Sequence, residues 1–364
     1  IRWIDSRKSS LDILIDGAVV SINEIRYRDD IGWTTKFPKW AIAYKFVAQE
    51  ISTTLLDVVW QVGRTGKVTP IAVLEPVELA GATVQKATLN NYDDILRKNV
   101  SIGSRVFVRR SNEVIPEVLG LAERGENAKE IEEIKTCPSC GSVLVKKGPL
   151  LYCPNQNGCF EQIEGRLTHF ASRDAFNIEG MSEKTATVLI QMLNVKNPSD
   201  LYSLSHEDFL TLDKFKDKKA GNLAKSIEKS KSIDLHKFLY AIGISEVGIK
   251  TARDIANRFG SLENIMHAKY SEIENITDIG PIIAKNVYDF FKNEENIAEI
   301  NKLLTAGVKI KNPAKRDFTS PIAGKKFVLT GTLPTLSRAE ATELILAGGG
   351  EVAGSVSAKT DYIL

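Results

Sequence analysis

The sequence predicts a multidomain α+β chain, and three observations predict it. Residues 51–125 read as short strands interrupted once by a helical run, all 4 cysteines fall between 137 and 159, and residues 163–311 carry almost no strand pattern. A length of 364 residues calls for two to four domains rather than one core. With 43% hydrophobic and 26% charged residues, wholesale disorder is excluded. No apolar run reaches the roughly 18 residues of a spanning helix and no secretory signal opens the chain, so a cytosolic protein without membrane partners is expected. The net charge of +2 is too mild to hold a polyanion by bulk attraction. Such a partner would need local patches and backbone amides.

Residues 14–23, LIDGAVVSIN, read as a strand in which Gly17 admits a close approach by backbone or ligand. Asp16 at its start reads either as a turn carboxylate or as a charge that positions a metal or a polarised phosphate. Residues 40–46, WAIAYKF, alternate, with Trp40, Ile42, Tyr44 and Phe46 on one face and Ala41, Ala43 and Lys45 on the other. Two alanines leave room on the lysine face for a bulky anion whose phosphate Lys45 would reach; a solvated edge lysine is the competing reading. Gly63-Arg64-Thr65-Gly66 makes a tight hairpin tip with Arg64 at its apex.

The runs LLDVVWQV, KVTPIAVLE, ATVQKATL, SRVFVRR and VIPEVLGLA, with helical NYDDILRK between the third and fourth, match the order of an OB barrel. That fold is widely used for nucleic acid, although fold alone decides no function. Arg109 and Arg110 end the fourth strand, and alternation turns one of them outward, toward phosphate or only toward solvent. A hydrophilic linker, GENAKEIEEIK, then leads to Cys137-x2-Cys140 and Cys153-x5-Cys159, with Gly141 and Gly158 beside them. Two cysteine pairs on glycine-bearing loops suit a tetrahedral thiolate site, so a structural Zn²⁺ is expected to fix the angle between the barrel and the helical stretch after the finger; disulfides are the competing reading.

Within the helical stretch four units resemble one another: FNIEGM (176–181), LDKFKD (212–217), IGISEVG (242–248) and ITDIGP (276–281). Each precedes a helix. A glycine-bearing turn at a helix N-terminus presents unpaired amides, so Gly180, Gly243, Gly248 and Gly280 are candidate contacts to backbone phosphates. Such contacts carry no base information, and the expected binding is independent of sequence. Lys216 stands where the other units are expected to place glycine, which leaves the second unit open to being a packing turn. Residues 321–364 read as strand, helix, glycine run, strand and the start of another strand, an α/β unit too short to be stable alone.

Together, IDGAVVSIN, WAIAYKF, QVGRTGKVTP, VLEPVELAG, VRRSNEVIPEV, the cysteine quartet and FLYAIGISEVG resemble bacterial NAD-dependent DNA ligases along essentially the whole chain. The resemblance implies five parts: the end of a nucleotidyltransferase (adenylation) domain over 1–50, an OB-fold domain over 51–125, and a linker and four-cysteine zinc finger over 126–162. A helix-hairpin-helix domain over 163–315 and the first half of a BRCT domain over 320–364 complete it. It implies an enzyme of replication and repair that uses NAD, with Mg²⁺ or Mn²⁺, to seal nicks in double-stranded DNA, in the bacterial cytosol and as a monomer. AMP passes to a lysine and then to the 5′-phosphate, before the 3′-hydroxyl is joined. By that resemblance Lys45 neutralises the transferred phosphate, Asp16 is the acidic residue of the preceding motif, and Arg64 grips DNA near the nick.

Several positions depart from the family pattern. The nucleophilic lysine belongs to a Lys-x-Asp-Gly motif, but Asp16-Gly17 has Leu14 in the lysine position, so the nucleophile is expected upstream of Ile1 and this chain alone is expected to be inactive. Ile1 in place of methionine and an end at Leu364 within a strand-like run fit a piece of a longer protein. Ser21 stands at a nucleotide-contacting position that is usually lysine, a change on the order of 1–3 kcal/mol if one charge-assisted contact is lost. Asn90 replaces a usual histidine and Asn112 a usual glycine. These departures motivate the alternative of a catalytically inactive, ligase-derived module that binds nicked DNA.

Overall fold

The computed structural model describes residues 1–5, 7, 15, 17–33, 37–45, 50–79, 81–111, 115–213, 215–313, 320–330, 333, 335–353, 356 and 360–364. Asp16, Phe46 and Asn112 lie outside these residues. The chain forms two compact units: residues 1–50, 109–115 and 314–364 make one, and residues 51–108 and 116–313 the other.

A short helix α1 (Arg2–Asp5) precedes an antiparallel ribbon of β1 (Gly17–Ser21) and β2 (Ala41–Lys45), joined through α2 (Arg26–Ile31). Gly17 is required by the pairing itself, because a Cβ there would meet the Tyr44 carbonyl oxygen at 2.5 Å. The loop is pinned by Arg28, whose guanidinium donates to the Ile22 carbonyl at 2.8 Å and lies over the Trp40 ring at 4.4 Å. Trp33 meets Trp40 edge-on at 5.2 Å. Alternation on β2 does not separate a covered face from an open one: Ile42 is 73% and Tyr44 45% exposed, as a ribbon of two strands covers neither side.

Next come β3 (Glu50–Val62), β4 (Lys67–Leu79), β5 (Ala82–Thr88), α3 (Tyr92–Lys98), β6 (Arg105–Ser111) and β7 (Ile115–Glu123). Their order around the sheet is β3-β6-β7-β5-β4, and β3 pairs with β4 to close it, with β5 and β7 parallel. This is the expected OB barrel. Alternating Leu55, Ala72, Leu74, Val106, Val108 and Val118, each at most 2% exposed, fill it. The hydrophilic linker contributes to the barrel as well: Ile131 is buried in the barrel core and Lys129 bridges to Ile102. Its hydrophilic average concealed one apolar anchor.

Helix α3 is capped by Asn91, whose side chain accepts the Asp94 amide. Asn90, at φ 61°, occupies the left-handed region that asparagine tolerates, and its Nδ2 donates to Asp94 Oδ2 at 2.8 Å. Burial alone would raise the Asp94 pKa, but donation from Lys98, Asn90 and Arg97 outweighs it and holds the carboxyl at about 2. A folded-state pKa below the unfolded value of roughly 3.9 contributes stability that is complete above that value. That contribution disappears as pH falls toward the folded pKa. We expect the unfolding free energy to lose about 2 kcal/mol between roughly pH 5 and pH 2 through this group. Asp94→Asn should remove that part of the acid limb in urea titrations; an unchanged acid limb would contradict it.

The finger is built on the barrel. Its hairpin of β8 (Val145–Lys147) and β9 (Leu150–Tyr152) extends the sheet, with Lys67 opposite Tyr152 and Val68 opposite Leu151. Then come α4 (Phe160–Ala171), α5 (Glu183–Leu193), α6 (His206–Leu210), α7 (Asp217–Ser230), β10 (Ser232–Asp234), α8 (Leu235–Ala241) and α9 (Ile249–Phe259). The stretch ends with α10 (Leu262–His267), α11 (Tyr270–Glu274), α12 (Pro281–Phe290), α13 (Glu294–Thr305) and β11 (Lys309–Lys311). One continuous apolar core runs from Ile163 to Val308. The all-helical expectation needs one correction. β10 and β11 pair in parallel, tying the end of the stretch to its middle, and at three residues each they are too short to show a period.

The last segment holds β12 (Lys326–Val328), α14 (Arg338–Ala347), β13 (Glu351–Ala353) and β14 (Tyr362–Ile363), a parallel sheet ordered β13-β12-β14. Ser337 and Glu340 form a capping box on α14. Among the described residues, no helix is long and apolar enough to cross a membrane.

Candidate nucleic-acid interface and metal centre

The four helical units share a backbone register that their glycines hide. In each, an amide bonds back three residues to close a turn: Met181 to Ile178, Phe215 to Leu212, Val247 to Ile244 and Ile279 to Ile276, at 3.1–3.3 Å. The third residue of the turn is left-handed, Gly180 at φ 89°, Glu246 at 62° and Asp278 at 67°; Lys214 of the second unit lies outside the described residues. The helix then starts at an extended N-cap, which is Ser182, Lys216, Gly248 or Gly280. Four residues later stands an alanine, Ala186, Ala220, Ala252 or Ala284, each 0% exposed, whose amide returns to the N-cap carbonyl.

This register revises how the glycines correspond. Gly180 is equivalent to Glu246 and Asp278, not to Gly248 or Gly280, and Lys216 shares its position with Ser182 as well as with the two glycines. Gly243, at φ 74°, corresponds to Asn177 at 49°, each preceding the turn. The buried alanine four residues after the cap is the sequence signal that aligns the units, and glycine positions alone misalign them.

The caps differ in what they leave open. Ser182 accepts the Thr185 amide, whereas Lys216, Gly248 and Gly280 make no side-chain cap. A Cβ at Gly248 or Gly280 would meet nothing within 4 Å, so the caps of α9 and α12 border open space, and the first-turn amides that follow, less the one that Pro281 lacks, have no partner within their helices. These two turns stand together: Lys250 Nζ lies 2.6 Å from Asp278 Oδ2, and Asn286 Nδ2 donates to the Ser245 carbonyl at 3.1 Å.

Arg64 is at the hairpin tip, as expected, but it is half-buried rather than held out to solvent. Gly165, in mid-helix α4, makes room for it, since a Cβ there would meet Arg64 Cβ at 2.7 Å; one on Gly243 would meet its Nη1 at 3.3 Å. A helical glycine costs roughly 1 kcal/mol relative to alanine, and here it admits the barrel tip. His169 lies on the same seam, bonded to the Tyr240 carbonyl at 2.8 Å, and burial together with the Arg64 charge lowers its pKa. Gly66, at φ 80°, passes under the Cys153 carbonyl, and the Cys153 amide donates to the Gly66 carbonyl at 2.8 Å. Arg109 and Arg110 lie half-exposed near the end of β6, with Arg109 Nη1 3.7 Å from Glu50 Oε1.

The Sγ atoms of Cys137, Cys140, Cys153 and Cys159 lie within 4.8 Å of one another, and none is in a disulfide. The donor set fits a structural zinc ion. Amides of Cys140 and Ser139 point at the Cys137 sulfur and that of Asn155 at Cys153, each favouring thiolate against the burial that opposes it. At Cys140 burial is outweighed by the Ser142 hydroxyl and amide, and the pKa falls to about 6. Four thiolates around a divalent cation leave negative charge, and half-buried Arg166 on α4, whose burial is opposed by the charges of Glu299 and then Cys159, is a cation near the site. Cys159 is also the N-cap of α4, so the site joins the barrel hairpin to the first helix of the next domain.

The family model described as the NAD-dependent DNA ligase OB-fold domain matches residues 52–130, that of the NAD-dependent DNA ligase adenylation domain residues 1–49, and the helix-hairpin-helix motif residues 237–300. The chain is 52% identical over its whole length to a DNA ligase of Clostridium perfringens, 52% to DNA ligase 2 of Clostridium acetobutylicum and 50% to a DNA ligase of Clostridium botulinum. The chain belongs to the NAD-dependent DNA ligase family. It spans 55% of the length of each of these relatives.

The ribbon β1–β2 lies within the residues that the adenylation-domain model matches. Lys45 ends β2 opposite Gly17 and shares a face with Ala43, Ala41 and, across the ribbon, Val19 and Ser21. Ser21 lies opposite Ala41, at the other end of that face. Both side chains are exposed.

Proposed function

We propose that the protein carrying this chain is an NAD-dependent ligase that seals nicks in duplex DNA, joining a 5′-phosphate to a 3′-hydroxyl through AMP-linked intermediates. The observation that carries the reading is the repeated turn-and-cap geometry: two neighbouring helices open on uncapped glycines that border open space, in the same unit as a barrel whose tip is seated against Gly165 of α4 and Gly243. Amides so placed bind backbone phosphates without reading bases. Lys45, on its small-residue face, neutralises the phosphate being transferred, and Asp16 supplies the acidic partner. Bound Mg²⁺ or Mn²⁺ supplies further neutralisation of the phosphates.

The nucleophilic lysine and the groove for the nicotinamide half of NAD belong to sequence upstream of Ile1, so this chain alone clamps DNA and takes no AMP. The exposed Val19, Val20, Ile42 and Tyr44 of the ribbon fit packing against that upstream portion. Residues 320–364, with their parallel sheet and capped helix, fit the first half of a BRCT domain. We take the protein to be cytosolic and monomeric on its DNA. Incubating the native polypeptide with NAD and a nicked duplex tests the reading: sealed product supports it. Binding without sealing favours the joining-inactive module that Ser21 motivates.

The cysteine site acts as a structural zinc centre that sets the barrel against the hairpins. Cys140→Ser is expected to lower bound zinc from about one equivalent per chain toward none after dialysis, and to destabilise the barrel–finger unit by about 3 kcal/mol. Elemental analysis with thermal melting checks both; wild-type zinc near zero would refute the site.

A further inference from the structure

A groove of about 1020 Å³ lies between the first turn and α7, floored by Phe176, Phe215, Leu223 and Ile233. Resting on the proposed ligase function, we infer that it holds a run of the duplex sugar-phosphate backbone, gripped by lysine side chains rather than by amides. The second unit, which lacks glycine, then has a DNA role of its own.

Lys218, Lys225 and Lys229 recur at i, i+7 and i+11 and line the groove with buried Leu223 and Ser230 beneath them, while Ala220 and Ile227 turn into the core away from it. Lys216, the uncapped N-cap of α7, adds a charge where the third and fourth units offer bare glycine. Lys237 and Lys311 add charge from α8 and β11. Among the described residues of the lining the carboxylates are Glu179 and Asp234, and Asp234 lies 3.9 Å from Lys237. Among the described residues, Lys218, Lys225 and Lys229 make no ion pair.

The chain as a whole is nearly neutral at +2, so this concentration is local. Lys218 to Lys229 covers about 16 Å at 1.5 Å per residue, and a duplex strand presents a phosphate every 3.4 Å of axis, so the stripe can meet several phosphates of one strand. The first turn is fastened to the same helix, because the Glu179 amide donates to Ser226 Oγ at 2.7 Å and Gly180 faces Leu223. A backbone lying in the groove therefore passes both units at once.

The test is the salt dependence of nicked-duplex binding by the 364-residue chain and by its K218Q/K225Q/K229Q variant. Neutralising three phosphate contacts is expected to reduce the slope of log affinity against log salt by about 2 to 3 and to weaken binding about 30-fold at low salt. These lysines are exposed, and an unchanged melting temperature and helical circular dichroism would confirm that the variant folds. A slope within about 0.5 of wild type overturns the groove while leaving duplex binding intact. Tripolyphosphate binding that depends on the three lysines, with an unchanged duplex slope, also overturns it in favour of a small-anion site. Failure of the wild-type chain to bind any duplex would remove both the groove and the proposed ligase function.

Discussion

In the native polypeptide, Lys45→Ala is expected to lower the rate of nick sealing by about 10²–10³-fold, the usual cost of removing one fixed charge or donor at a developing phosphoryl charge. Lys45 is exposed on a ribbon lined by Gly17, Ala41 and Ala43, so its loss opens no cavity in a core and should leave folding intact. On the proposed reading the duplex is held elsewhere, on the barrel and the hairpins, so affinity for nicked DNA should stay within about twofold. Single-turnover sealing measured beside a binding titration separates the two. Equal losses in both would show that Lys45 supports the fold or the DNA contact rather than the transfer. Lys45→Arg, which keeps the charge but not its point geometry, should recover part of the rate.

The double replacement Gly248→Val/Gly280→Val is expected to weaken binding of nicked duplex by about 10- to 100-fold while helical content is retained. The structure makes this pair the clean probe. Both glycines have φ near −85°, a conformation that valine adopts, and a Cβ on either meets nothing within 4 Å. The added methyl groups would therefore stand over the open amides without disturbing the protein beneath them. Gly243 is a poorer choice, because at φ 74° and with Arg64 Nη1 3.3 Å from its would-be Cβ, any substitution strains the seam as well. Retained affinity with retained helicity would make these turns simple connections between packed helices.

Much of the fold was legible because its signals are local. Strand alternation around one helix marked the barrel, and the spacing of Cys137, Cys140, Cys153 and Cys159 marked a thiolate cluster whose sulfurs lie together. What escaped depends on contacts distant in sequence. Nothing near Arg64 announces that Gly165, about a hundred residues on, makes room for it. The pairing of β10 with β11 joins segments too short to show a period. The lysines of α7 are visible as residues, but without glycine at its cap a helix bearing Lys218, Lys225 and Lys229 on one face passes for a packing element. The unusual Asn90 reads differently once its backbone is known: a left-handed residue that holds Asp94 is a structural part, whatever else the position does in relatives.

The measurement that bears most directly on the account is the affinity of the 364-residue chain for nicked duplexes of the same length and unrelated base sequence. Holding by backbone amides and lysines predicts equal affinities, within about twofold, and a common steep decline with salt. Affinities that differ tenfold or more between sequences, or that ignore salt, would contradict it.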